Sequence, residues 1–135
     1  MRTRTNASPV VVIVGPCASG KSTVKQALQD LGLDARIVAQ EHSIVSDLWR
    51  RAGADILIGL DVDLATLRAR RAPTWPASVY ASQQTRLAPA FAAADLVVDT
   101  SPLTAEDVVA EIVAFLRERG VDLAEPDAPA DLSSA

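Results

Sequence analysis

The chain has 135 residues, a length for about one domain, and 49% of them are hydrophobic, enough for one core of moderate size. Its formal net charge of −4 argues against a general nucleic-acid-binding surface, and no apolar run approaches the roughly 18 residues that a membrane span needs. The single cysteine, Cys17, excludes an intramolecular disulfide and suits a reducing cytoplasm, while the polar start 1–8 lacks the apolar centre of a secretory signal and reads as flexible.

Pro9 opens a β-branched run, Val10-Val11-Val12-Ile13-Val14, that ends at a glycine. Such a run reads as a fully buried strand. The next eight residues, Gly15-Pro16-Cys17-Ala18-Ser19-Gly20-Lys21-Ser22, match G-x-x-x-x-G-K-[ST], the phosphate-cradling P-loop. Val24, Ala27, Leu28 and Leu31 then share one helical face, and Gly32 stands where a helix stops. Strand, glycine-rich loop and helix are the setting this motif requires. A loop wrapped ahead of a helix gathers backbone N–H groups, and the helix dipole adds positive charge there. Gly15 and Gly20 let the chain approach phosphate oxygens without a Cβ in the way. The expected nucleotide-binding set is therefore Gly15, Pro16, Cys17, Ala18, Ser19, Gly20, Lys21, Ser22 and Thr23. Lys21 reaches the β- and γ-phosphates, and the Ser22 hydroxyl ligates Mg²⁺. Cys17 is either a filler in the variable part of the loop or a redox-sensing thiol at the helix N-terminus.

Residues 35–40 read as a second short strand ending in the polar cluster Gln40-Glu41-His42-Ser43. A short helix is expected over 44–52, with Ser43 as N-cap, Gly53 beyond its end, and Ile44, Leu48 and Trp49 on its buried side. Asp55-Ile56-Leu57-Ile58-Gly59-Leu60-Asp61 is the third strand, an apolar run rather than an alternating one, as in a parallel sheet covered on both faces. Asp63 caps a helix through Arg70, a connector with Pro73 and Pro76 follows, and 77–87 is helical until Pro89 ends or kinks it. Residues 95–99 make the fourth strand. Thr104 and Asp107 form a capping box ahead of the stripe Val108, Val109, Ile112, Val113, Phe115 and Leu116, and Gly120 stops this last helix. The βα repetition predicts a parallel sheet with right-handed crossovers. Ligands of such sheets bind at the carboxyl ends of the strands, where the loop, the 40–43 cluster, Asp61 and Asp99 converge. The Pro-, Ala-, Asp- and Ser-rich end, 124–135, reads as a disordered tail.

From Val10 to Leu116 the chain resembles small P-loop kinases of the shikimate, gluconate and nucleoside-monophosphate kinase group. Three blocks carry the resemblance: the P-loop; residues 55–61 with the following helix and its Arg68, Arg70 and Arg71; and residues 82–100 with the last helix. The resemblance implies an α/β fold, a P-loop NTPase three-layer α/β/α sandwich, here with a reduced, mostly parallel sheet of about four strands. It implies ATP and Mg²⁺ as cofactors. It implies lid charge from Arg68, Arg70 and Arg71, with Arg86 a further candidate, and a cradle for the base at 100–103. The alternative is that these arginines are solvated helix charges.

The chain also departs from that group. Only about 22 residues separate Gly32 from Asp55, so one strand and most of a substrate-binding insertion are missing. No Walker-B aspartate precedes the second helix. Glu41 takes its expected place, as a Mg²⁺ ligand through water or as the general base for an acceptor hydroxyl. Gln40, His42 and Arg86 are the candidates for binding the acceptor, and Lys21, Glu41, Arg68 and Arg71 for catalysis. The expected activity is transfer of the γ-phosphoryl group of Mg-ATP to a small hydroxylated or phosphorylated acceptor. The competing expectation is a nucleotide-binding module that hydrolyses slowly or not at all. A GTPase switch is disfavoured, since neither D-x-x-G nor N-K-x-D occurs.

Overall fold

A computed structural model describes residues 9–124. The expected flexible start and nearly all of the expected tail lie outside the described residues. Ala124 is described, and its amide donates to Leu31 O at 2.8 Å.

The elements run β1 (Val10–Val14), α1 (Lys21–Asp30), β2 (Asp34–Ile37), a 3₁₀ turn (Gln40–His42), α2 (Leu48–Arg51), β3 (Ile56–Asp61), α3 (Leu64–Arg70), α4 (Ala77–Ala93), β4 (Leu96–Asp99) and α5 (Ala105–Glu118). The four strands form one parallel sheet in the order β2-β1-β3-β4. β1 lies inside it, with Val12 opposite Arg36 on one side and Leu57 on the other. Strand alternation sends Val11 and Ile13 to the face covered by α1 and α5, where they meet Val24, Leu28, Val108, Ile112 and Leu116. Val12 and Val14 face the opposite layer with Leu57, Leu87 and Ala90. Burial on both faces explains why β1 is apolar at every position. The result is a three-layer α/β/α arrangement. Among the described residues, no helix is long and apolar enough to cross a membrane.

Several expected boundaries move. β2 ends at Ile37, and Gln40 enters the 3₁₀ turn rather than the strand. The helix expected over 44–52 contracts to Leu48–Arg51. Ser43 is extended and does not cap it; its Oγ accepts from Val45 N at 3.0 Å, and Gln40 Nε2 donates to Val45 O at 2.6 Å. Two side chains thus take the Val45 backbone groups that a helix would have paired. Ile44, expected on the buried side, is 91% exposed.

α4 runs past Pro89 to Ala93. Pro89 and Thr85, whose carbonyl loses its i+4 donor, are both exposed, so water can serve that carbonyl. Leu87 and Ala90 hold the helix on the sheet around this point. The caps of α3 and α5 follow expectation. Asp63 Oδ1 accepts from Thr66 N at 2.7 Å, and Thr104 and Asp107 make the reciprocal capping box.

Candidate functional site

β1 ends beside β3, and Gly15 is pressed against the Leu60 carbonyl of that strand. A Cβ there would lie 2.3 Å from Leu60 O and 2.6 Å from Ser19 Oγ, so only glycine fits. The loop then folds on itself. Ser19 Oγ donates to Pro16 O at 2.7 Å, and Ala18 takes a left-handed φ of 63°. Gly20, at φ 94°, turns the chain into α1 with no side-chain cap. The first-turn amides of α1 therefore lack both intrahelical acceptors and a capping oxygen. Their residues, Lys21 to Thr23, line a cavity of about 720 Å³. That size suits a small-molecule ligand.

The other walls come from distant parts of the chain: Glu41 and His42 from the 3₁₀ turn, Arg70 and Arg71 from the end of α3, Thr100 and Leu103 from the segment joining β4 to α5, and Ala105 and Val108 from the start of α5. All of these lie at the carboxyl edge of the sheet, where parallel sheets bind ligands.

Lys21 is engaged on every side. Its Nζ donates to Gly15 O, to Pro16 O at 3.3 Å and to Glu41 Oε2 at 2.8 Å. Glu41 is 5% exposed. Its Oε2 also lies 3.6 Å from His42 Nε2, while its Oε1 is buried with no partner. Arg86 sits behind the wall, donating to the Glu41 carbonyl at 3.3 Å.

Arg70 ties the loop to the far wall. Its Nη1 donates to Ala18 O at 2.8 Å and its Nη2 to Thr100 O at 2.9 Å. Thr100 is anchored in turn, donating from N and Oγ1 to Asp61 O at 2.8 and 2.9 Å. From α4, the buried Gln83 accepts from Cys17 N at 3.1 Å and donates to Cys17 Sγ at 3.4 Å.

The sequence-predicted residues separate accordingly. Pro16 to Thr23, Glu41, His42 and Arg71 line the cavity, and Gly15 shapes the loop from beneath. Arg68 does not line it; its Nε donates to Trp75 O at 2.9 Å and holds the connector. Gln40 is fully buried and holds Val45, and Arg86 braces Glu41 from behind. Asp61 is occupied by Val62 N and Gln84 Nε2. Arg70, Thr100 and Gln83 are the site residues that sequence reasoning underrates. For Arg70 a signal exists: it follows the fully buried Leu67 by three positions, which aims it toward the sheet, whereas Arg68 turns away. Gln83 carries no comparable signal.

Magnesium fits the donor chemistry of this wall only through oxygen. Among the lining residues, the Ser22 hydroxyl and the Glu41 carboxylate offer oxygen atoms of that kind.

No family model matches the chain, and no curated protein matches its sequence.

Proposed function

We propose that this protein is an ATP-binding P-loop phosphotransferase that moves the γ-phosphoryl group of Mg-ATP to a small hydroxylated or phosphorylated acceptor. The observation that carries the reading is the uncapped N-terminus of α1 opening, with Lys21, Arg70 and Arg71, on one cavity that also holds Glu41. Phosphoryl transfer needs positioning and charge stabilisation more than covalent help from the protein. In this reading the loop amides and Lys21 hold the β- and γ-phosphates. Ser22 and Glu41 hold Mg²⁺, which supplies charge neutralisation at the phosphates. Arg70 keeps the loop in shape, and Arg71 offers a free cation to the phosphates or a plane for the base. Leu103 and Val108 provide the apolar wall for that base. In the alternative role Glu41 takes the proton of the acceptor hydroxyl as general base, with His42 beside it.

A second reading, a nucleotide-binding module without turnover, is favoured by one observation. All three donors of Lys21 are already satisfied by loop carbonyls and Glu41, so the loop is stable closed on itself. The two readings part on acceptor-dependent ADP release. The test is to incubate the full chain with Mg-ATP and panels of sugars, shikimate-like acids, nucleosides and their phosphates. The kinase reading expects at least one class to raise ADP release well above the ATP-only rate. A flat response across all panels, with ATP bound, leaves the binding module.

A further inference from the structure

Cys17, Glu41 and His42 come from two separate segments, yet one ligand atom of each lies within 4.8 Å of the other two. Thiol, carboxylate and imidazole form a mixed sulfur, oxygen and nitrogen set. Magnesium avoids such a set, whereas a borderline transition metal such as Zn²⁺ accepts it. We propose that these three side chains bind one Zn²⁺-class ion per chain, with water as the fourth ligand.

A second observation points to a ligand at the same place. Glu41 is about nineteen-twentieths buried, and its Oε1 has no hydrogen-bond partner, while Oε2 holds Lys21. A buried carboxylate oxygen without a donor is rare, and each instance requires an explanation. A cation bound at Oε1 supplies one and leaves the Lys21 contact in place.

Zinc bonds of about 2.0–2.3 Å set tetrahedral ligand atoms roughly 3.3–3.8 Å apart. The three ligand atoms here lie within 4.8 Å of one another, so binding draws them inward. His42 Nε2 stands 3.6 Å from Oε2 of the same carboxylate, so its ring turns to share an ion with Oε1. The His42 ring is 57% exposed and free to adjust. Cys17 is held by a partner of the right kind. The Gln83 side-chain amide donates to its sulfur and accepts from its backbone N–H, fixing the thiol as outer-sphere partners fix metal ligands. Binding releases the thiol proton to solvent, with no redox change.

The metal site does not depend on the nucleotide reading. The two share Cys17, Glu41 and His42 in one cavity wall, and Glu41 is the carboxylate assigned above to Mg²⁺, so Zn²⁺ and Mg-ATP are expected to compete.

The test uses Co²⁺ alone, added to the metal-free full chain. The expected spectrum has a thiolate-to-cobalt charge-transfer band and the intense visible bands of a tetrahedral ion, at one Co²⁺ per chain, all erased by equimolar Zn²⁺. Cys17 is the only cysteine, so the sulfur band has no other source. Cys17→Ser removes that band, and His42→Ala weakens binding at least tenfold; Cys17 is half-buried, His42 is exposed, and neither belongs to a core cluster. Glu41→Gln weakens binding as well. Lys21→Met separates the two readings, because it abolishes nucleotide binding but leaves the cobalt spectrum, with tighter metal binding for want of a neighbouring cation. A wild-type spectrum without the sulfur band, a stoichiometry of one metal per two chains, or unchanged affinity in His42→Ala overturns the site.

Discussion

Lys21 Nζ and Glu41 Oε2 lie 2.8 Å apart in side chains only 13% and 6% exposed, twenty residues apart in sequence. The pair joins the loop after β1 to the 3₁₀ turn after β2. Removing one partner of such a pair strands the other charge, which typically costs about 3–5 kcal/mol, whereas removing both is far milder. Lys21→Met is therefore expected to destabilise the chain by a few kcal/mol, and Lys21→Met/Glu41→Gln to recover most of the loss. Urea unfolding of the wild type, Lys21→Met, Glu41→Gln and the double variant measures this. A double variant as unstable as the sum of the singles contradicts a paired role.

Arg70 and Arg68 sit two positions apart on α3 and do different work. Arg70 bonds Ala18 O and Thr100 O, while Arg68 bonds Trp75 O away from the cavity. Charged hydrogen bonds of this kind are worth about 1.5–3 kcal/mol, less where exposed. Arg70→Ala is expected to weaken Mg-ATP binding about tenfold, and Arg68→Ala by less than about twofold. Calorimetric titration decides it. Equal losses would mean that the link from α3 to the loop is unimportant for binding.

Two glycines of the loop are required for different reasons. At Gly15 a Cβ meets the rigid Leu60 carbonyl at 2.3 Å, whereas at Gly20 nothing lies within 4 Å and only the φ of 94° resists a side chain. Overpacking against backbone costs about 1–3 kcal/mol or more, and a single left-handed residue about 1–2 kcal/mol. Gly15→Ala is expected to lower the urea midpoint more than Gly20→Ala. The reverse order contradicts the close approach of loop and β3.

Asp63 makes stability depend on acid. Its carboxylate accepts the Thr66 backbone N–H, aided by Ser101 and the charge of Arg70, and these hold its pKa below the usual 3.8. A group depressed in the folded state adds stability above its unfolded pKa and loses it as pH falls through the folded value. The loss from this cap therefore falls below about pH 4. Asp63→Asn keeps a capping oxygen without the charge, so its stability curve is expected to be flatter than wild type between about pH 4 and pH 2. Parallel curves for the two proteins remove Asp63 from the acid response.

The strands and the main helices are legible because burial on one or two faces writes itself into local pattern. Val10–Val14 and residues 56–60 are continuously apolar, and the α5 stripe keeps helical period. The segment 43–47 is not legible, because Ser43 and Gln40 bond Val45 and override local helix propensity. α4 passes Pro89 because contacts with β1 and β3, invisible in the segment itself, outweigh one lost hydrogen bond. In the site, the loop and its lysine are readable from spacing. The partners Glu41, Arg70, Thr100 and Gln83 depend on how the sheet edge gathers four loops. Glu41 is identified beforehand only by its place after a strand, and Gln83 resembles any other glutamine on a helix.

Under the proposed function, the Gly15–Ser22 loop and α1 hold a triphosphate. Isothermal titration of Mg-ATP, with Mg-GTP beside it, into the full chain and into Lys21→Met tests it most directly, with circular dichroism confirming that both are folded. The account predicts saturable binding of one Mg-ATP per chain in the wild type and none in Lys21→Met. No binding of either nucleotide to the wild type, or equal binding to both proteins, contradicts it.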